Sequence, residues 1–239
     1  MIGMVKERAR TAMKLQYWPI VGIELLAGVL MGGAVSFSFS FNKGGLDKFR
    51  EMLGNDELFR WIMGIFIGLA ITASLVSLLY TFLVGNVFRV GVAKYRLGAY
   101  RHERVRITDL FTGFKQYGRL VGTMALYTLF VTVGFLCFIV PGVIVALGLF
   151  EVPYLLNEDP SLSGMDAIRR SWEDMKGHKG ELFGLVMSFF GWIILTMLTF
   201  GVLAIFYTGP YMALAEAGYY HELHHTVNAE NFTADGFHA

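Results

Sequence analysis

Four stretches of this chain hold no Asp, Glu, Lys, Arg or His: residues 25–42, 61–88, 120–150 and 182–215, of 18, 28, 31 and 34 residues. Together they make up nearly half of the 239 residues. A buried helix in a soluble domain is usually complete within about a dozen residues. Runs this long exclude a soluble globule and a disordered chain, and they point to a polytopic membrane protein. Composition agrees, with 16% charged residues against roughly 25% for an ordinary soluble domain. Cys137 lies alone in an apolar run, so disulfides play no part.

The number of crossings follows from length and charge. Hydrocarbon about 30 Å thick takes roughly 20 helical residues. Residues 17–41 and 61–85 fit one crossing each, whereas the runs at 120–150 and 182–215 would measure about 46 and 51 Å as single helices. Pro141-Gly142 offers a stop and a turn in the first of these, and Gly201 followed by Pro210 in the second. If each long run is a hairpin, 16 of the 20 Lys and Arg residues lie on one side; if each crosses once, only 12 do. The positive-inside rule favours the hairpins. The expected fold is therefore all-α, with six segments at about 17–41, 61–85, 120–140, 143–156, 182–200 and 202–220. They form three helical hairpins within one membrane domain, residues 1–225, with a polar tail at 226–239. Both termini are expected in the cytoplasm, and the 143–156 leg is short, with Glu151 and Pro153 inside it.

Between the runs, two segments read as cytoplasmic. Residues 160–176 have the pattern of an amphipathic interfacial helix: Ser163 and Asp166 make a capping box, and Met165, Ile168, Trp172 and Met175 form one stripe. The loop from Arg89 to Arg119 carries eight basic residues, and its Arg101, Arg104 and Arg106 are candidates to hold anionic lipid heads. A topology signal alone explains the same loop. Nucleic acid is a poor partner for a loop so close to the bilayer.

Across residues 105–223 a set of short strings occurs in order: Phe111-Thr112-Gly113-Phe114, Tyr117-Gly118-Arg119, Pro141-Gly142 and Glu158-Asp159-Pro160. Ala167-Ile168 with Ser171, Met175, Gly177-His178-Lys179 and Leu182-Phe183 follow, then Ser188-Phe189, Gly191-Trp192, Thr199, Gly201 and Pro210-Tyr211. In this spacing the chain resembles a bacterial domain-of-unknown-function family, number 975, and more distantly the membrane domains that accompany glycerophosphodiesterases. The resemblance implies a multi-pass inner-membrane protein and transfers no activity. Lys14-Leu15-Gln16-Tyr17-Trp18 departs from the family's Lys-Gly-Asn-Trp type of string at the first hairpin.

Ionisable groups at membrane depth are costly and each needs a reason. Glu24, Glu151 and Glu216 are the acids at such positions, and Arg89 is the nearest basic group to pair with them. Together they are candidates to bind a cation or proton; snorkelling to the interface is the alternative. His221 and His225 stand i, i+4, but no third ligand stands at a defining spacing, so no metal site and no cofactor is expected. Gly28/Gly32, Gly64/Gly68, Gly118/Gly122 and Gly180/Gly184 are Gly-x-x-x-Gly pairs, expected to serve packing within the chain, with homo-oligomerisation as the alternative. No catalytic motif appears. The expectation is a non-enzymatic multi-pass protein of the bacterial cytoplasmic membrane that interacts with lipid or a membrane partner. A small ion- or proton-coupled transporter using the intramembrane glutamates is the second reading.

Overall fold

The structure is a computed structural model describing residues 1–31, 50–52, 54–104 and 106–235, with side chains described as far as residue 225. The outer part of segment 17–41, Gly32, most of the loop that follows and residues 236–239 lie outside the described residues. Those described form helices and connecting turns, with no strand among them.

Helix α1 (Ile2–Leu15) buries Val5, Ala9, Ala12 and Met13, a single stripe at helical spacing. Helix α2 (Tyr17–Leu30) follows directly. Asn55 then caps α3 (Asp56–Tyr80), its side chain accepting from the N–H groups of Glu57 and Leu58. One π-helical turn, Thr81–Gly85, joins α3 to α4 (Asn86–Tyr100) without a break. The result is one 45-residue rod, Asp56–Tyr100, about 68 Å long. Its halves differ sharply: none of α3 is buried, whereas most of α4 is.

Helix α4 replaces the loop expected from Arg89 onward. Its charges marked a boundary in the sequence, but Val87, Val90, Ala93 and Leu97 keep helical spacing behind them and are buried. After Tyr100 a 3-10 stretch, Ile107–Gln116, lies back along α4. Two glycines permit this seat. A Cβ on Gly91 would stand 2.1 Å from the Leu110 carbonyl oxygen, and one on Gly113 would stand 2.7 Å from that of Val87.

Helix α5 (Tyr117–Cys137) ends at Phe138, whose backbone is extended at φ −168° and ψ 163°. Helix α6 (Ile139–Gly148) turns back so that Gly134 approaches Gly142 and Val145. The turn therefore falls three residues before Pro141, not at it. Proline is tolerated in the first turn of α6, where no intrahelical partner for its N–H is needed. The chain breaks again at Leu149 before α7 (Val152–Glu158). Helix α8 (Gly164–Asp174) starts at Ser163, whose hydroxyl accepts from the Asp166 N–H at 3.2 Å. Its buried face is Ala167, Ile168 and Ser171, continuing to Met175 just past its end, while Met165 points outward. Helices α9 (Lys179–Met187) and α10 (Phe190–Leu198) lead to a reversal at Phe200 and Gly201, both at positive φ. A π-helical turn, Ala204–Thr208, then opens α11 (Gly209–Asp235), which stays helical into the polar tail as far as Asp235.

Among the described residues, the Gly64/Gly68, Gly118/Gly122 and Gly180/Gly184 pairs make no close packing, and Gly32 of the fourth pair lies outside them. No described residue comes within 4 Å of a Cβ added at Gly28, Gly64, Gly68, Gly118, Gly122 or Gly180, and Gly184 meets only the tip of Ile2. Close approach falls instead to Gly91, Gly113, Gly142, Gly148, Gly164 and Gly218.

Two surfaces result. One is a bundle in which α1, α4 and α11 bury Tyr95, Tyr211, Leu214 and Tyr219 between them. The other is apolar and open: Trp61 on α3, Phe138 at the first reversal and Phe200 at the second are 74%, 78% and 97% exposed. Among the described residues, four helices are long and apolar enough to cross a membrane: Asp56–Tyr100, Ile107–Cys137, Ile139–Glu158 and Lys179–Leu198.

Candidate functional site

Helix α11 repeats polar groups at helical spacing, and α4 answers them. Arg96 donates from Nε and Nη2 to the two oxygens of Glu24 at 2.8 and 3.0 Å. Its Nη1 stands 4.0 Å from Glu216 Oε2. The Tyr95 hydroxyl donates to Glu24 Oε1 at 2.7 Å. One turn further, the Tyr100 hydroxyl donates to Glu222 Oε1 at 3.0 Å, and Arg8 of α1 pairs with the same oxygen at 2.5 Å. Beside them, Glu158 accepts from Arg101 and from the Tyr220 hydroxyl, each at 2.7 Å. Tyr154 and Tyr220 stack, with centroids 4.8 Å apart. The outcome is a ladder of ion pairs joining α1, α2, α4, α7 and α11. Bidentate geometry and tyrosine donors supply hydrogen bonds that bulk water would otherwise provide.

Of the acids singled out in the sequence, Glu24 and Glu216 thus converge. They do so on Arg96; Arg89, two turns earlier, is exposed. Glu151 stands apart. It is fully buried in the break between α6 and α7, 3.4 Å from Nε2 of His224, with Asp174 of α8 nearby. Ser171 ties this break to α8, its hydroxyl donating to Gly148 O at 3.0 Å and accepting from Glu151 N at 3.2 Å. Burial works against a charged His224, but the facing Glu151 carboxylate outweighs it and lifts the ring above its ordinary range.

The lipid candidates separate as well. Arg101 is engaged by Glu158, while Arg104 and Arg106 are exposed. A different feature is an open apolar groove. Phe130, Val133 and Gly134 of α5, Val145 of α6, Leu149, and Ile168 and Trp172 of α8 wall an apolar groove of about 430 Å³, with Arg169 at its edge. Lys179 Nζ lies over the Trp172 ring at 3.4 Å.

Sequence reasoning missed Arg96, Tyr95, Asp174 and His224. Arg96 was hidden among basic residues that serve equally well as a topology signal. For His224 a signal existed: Leu214, Ala217, Tyr220 and Leu223 continue an apolar stripe to its doorstep, and all four are buried.

Residues 121–226 match the model of the family described as protein of unknown function, DUF975. The resemblance drawn from the strings above holds over that stretch. No curated protein and no solved structure matches the chain.

Proposed function

With residues 121–226 a DUF975 segment, we propose that the chain is a non-enzymatic multi-pass protein of the bacterial cytoplasmic membrane that holds an anionic phospholipid. In this reading it crosses six times as three hairpins with both termini in the cytoplasm. The observation that carries it is the groove between α5, α6 and α8. Its walls are apolar, and Arg169 in its lining and Lys179 over Trp172 supply positive charge beside it, which supports an anionic headgroup. An acyl chain contributes about 0.8 kcal/mol per buried CH₂, which a groove of this kind realises. The open apolar surface of α3 and the two reversals supports membrane residence.

Native mass spectrometry of the full chain, released from membranes containing phosphatidylglycerol and phosphatidylethanolamine, tests the assignment. Phosphatidylglycerol is expected to be retained in preference. Arg169→Glu and the groove-filling Val145→Trp should each lower its retention several-fold, with Arg104→Gln having less effect. Equal retention of both lipids, or retention unchanged in both variants, overturns the reading.

One observation favours ion coupling as a second reading. Glu24 and Glu216 share the single guanidinium of Arg96, so the cluster carries one acid more than base. A transported proton or cation is the natural complement. Reconstituted flux that survives both Glu24→Gln and Glu216→Gln removes this reading.

A further inference from the structure

We propose that Glu151, Asp174 and His224 form a binding site for a first-row divalent cation, for which zinc is the best match, independent of the lipid groove. The three come from separate parts of the fold: the break between α6 and α7, the end of α8, and α11. One ligand atom from each lies within 4.8 Å of the others. Around an ion with bonds of about 2.1 Å, tetrahedral ligand atoms stand about 3.4 Å apart, and the Glu151–His224 pair already stands at 3.4 Å. Closure of the third ligand needs only a small side-chain movement.

The polar atoms themselves ask for a ligand. Glu151 is fully buried, and neither of its carboxylate oxygens has a hydrogen-bond partner among the described residues. Nε2 of His224 and Oδ2 of Asp174 are buried atoms in the same condition. Beyond the cluster itself, Arg170 Nε is 3.5 Å from Asp174 Oδ2, and Glu158 interacts electrostatically with His224. A His224–Glu151 ion pair would address one oxygen and leave the other orphaned, a costly state for a buried carboxylate. One cation at the centre serves all three groups together.

The surroundings have the character of a metal site. Ser171 fixes the backbone of Glu151 to α8 from below, as supporting hydrogen bonds do for ligating carboxylates. One imidazole and two carboxylates suit zinc, manganese or ferrous iron, whereas magnesium prefers an octahedral oxygen shell and dehydrates reluctantly. Three protein ligands leave a fourth position for water. Asp174 and His224 are partly exposed, which gives the ion its path in. Bound there, it would clamp α8 and α11 to the break that shapes one wall of the bundle.

The test uses the full chain in detergent, with any affinity tag removed, stripped with EDTA and then dialysed against Zn²⁺ or Mg²⁺. Elemental analysis should find one tightly held zinc per chain and no retained magnesium, and zinc should raise the melting temperature by several degrees. Glu151→Gln and His224→Gln should each lower retained zinc at least ten-fold. Asp174→Asn, a milder change at a helix end, should do likewise while its melting temperature in EDTA stays at the wild-type value. His225→Gln should bind as the wild type does. Failure of the wild type to retain zinc overturns the proposal, as does undiminished retention in the Asp174 and His224 variants. A loss of stability in His224→Gln that is equal with and without zinc also overturns it, since the cluster is then an ion pair alone.

Discussion

Gly91 lacks a side chain where α4 meets the carbonyl of Leu110, and a Cβ there would stand 2.1 Å from that oxygen. The contact is backbone on backbone, so no flexible side chain can yield. Gly91→Ala is expected to destabilise the protein by about 1–3 kcal/mol or more through overpacking. Gly64→Ala, on the open face of α3, should leave stability unchanged or raise it by up to about 1 kcal/mol. Thermal unfolding of both variants in the same detergent measures the contrast. Equal losses would mean that α3 packs as closely as α4.

Arg96 is the hinge of the charge ladder. Its removal as Arg96→Met leaves Glu24 without its bidentate partner, at a cost of about 3 kcal/mol. Glu24→Gln in the same chain should recover part of that loss, because it removes the stranded charge. A double-mutant cycle on unfolding free energies checks this, with a coupling near zero as the contrary result.

Ser171→Ala removes one hydroxyl that serves two backbone groups, Gly148 O and Glu151 N. Both are left buried, so a loss of about 1–3 kcal/mol is expected. Ser171→Cys, which keeps a weak donor, should fall between the two. Hydrogen exchange should quicken at residues 149–152 in the alanine variant before it does elsewhere.

Topology yields to labelling. With Cys137 changed to serine, Ser163→Cys should react with an impermeant maleimide only after the membrane is opened, and Glu57→Cys should react in intact cells. The reverse pattern inverts the chain, and external labelling at both positions undoes the six-crossing count.

The all-α fold and the apolar helices were legible because apolar runs and helical periodicity are local properties. The capping of α8 by Ser163 was legible for the same reason. Helix α4 was not, since its eleven buried positions depend on five neighbouring helices and a 3-10 stretch that no local window contains. Glu24, Glu151 and Glu216 stood out because charge in apolar sequence is rare. Their partners did not: Arg96 lies 72 residues from Glu24 in sequence, and His224 sits in a polar stretch that runs on into the tail. The turn at Phe138 lay outside the reach of residue preference altogether, with the proline that advertised it placed one turn too late.

The rod from Asp56 to Tyr100 has a mechanical consequence. Helical throughout, it joins its open half to its packed half without a break. A tilt of about 10° about the π-helical turn would carry Arg96, roughly 20 Å along, by about 3 Å, which is as far as the length of its bonds to Glu24. If α3 lies in lipid, as proposed, bilayer thickness and the integrity of a single guanidinium–carboxylate grip would be one variable, measured at opposite ends of the same helix.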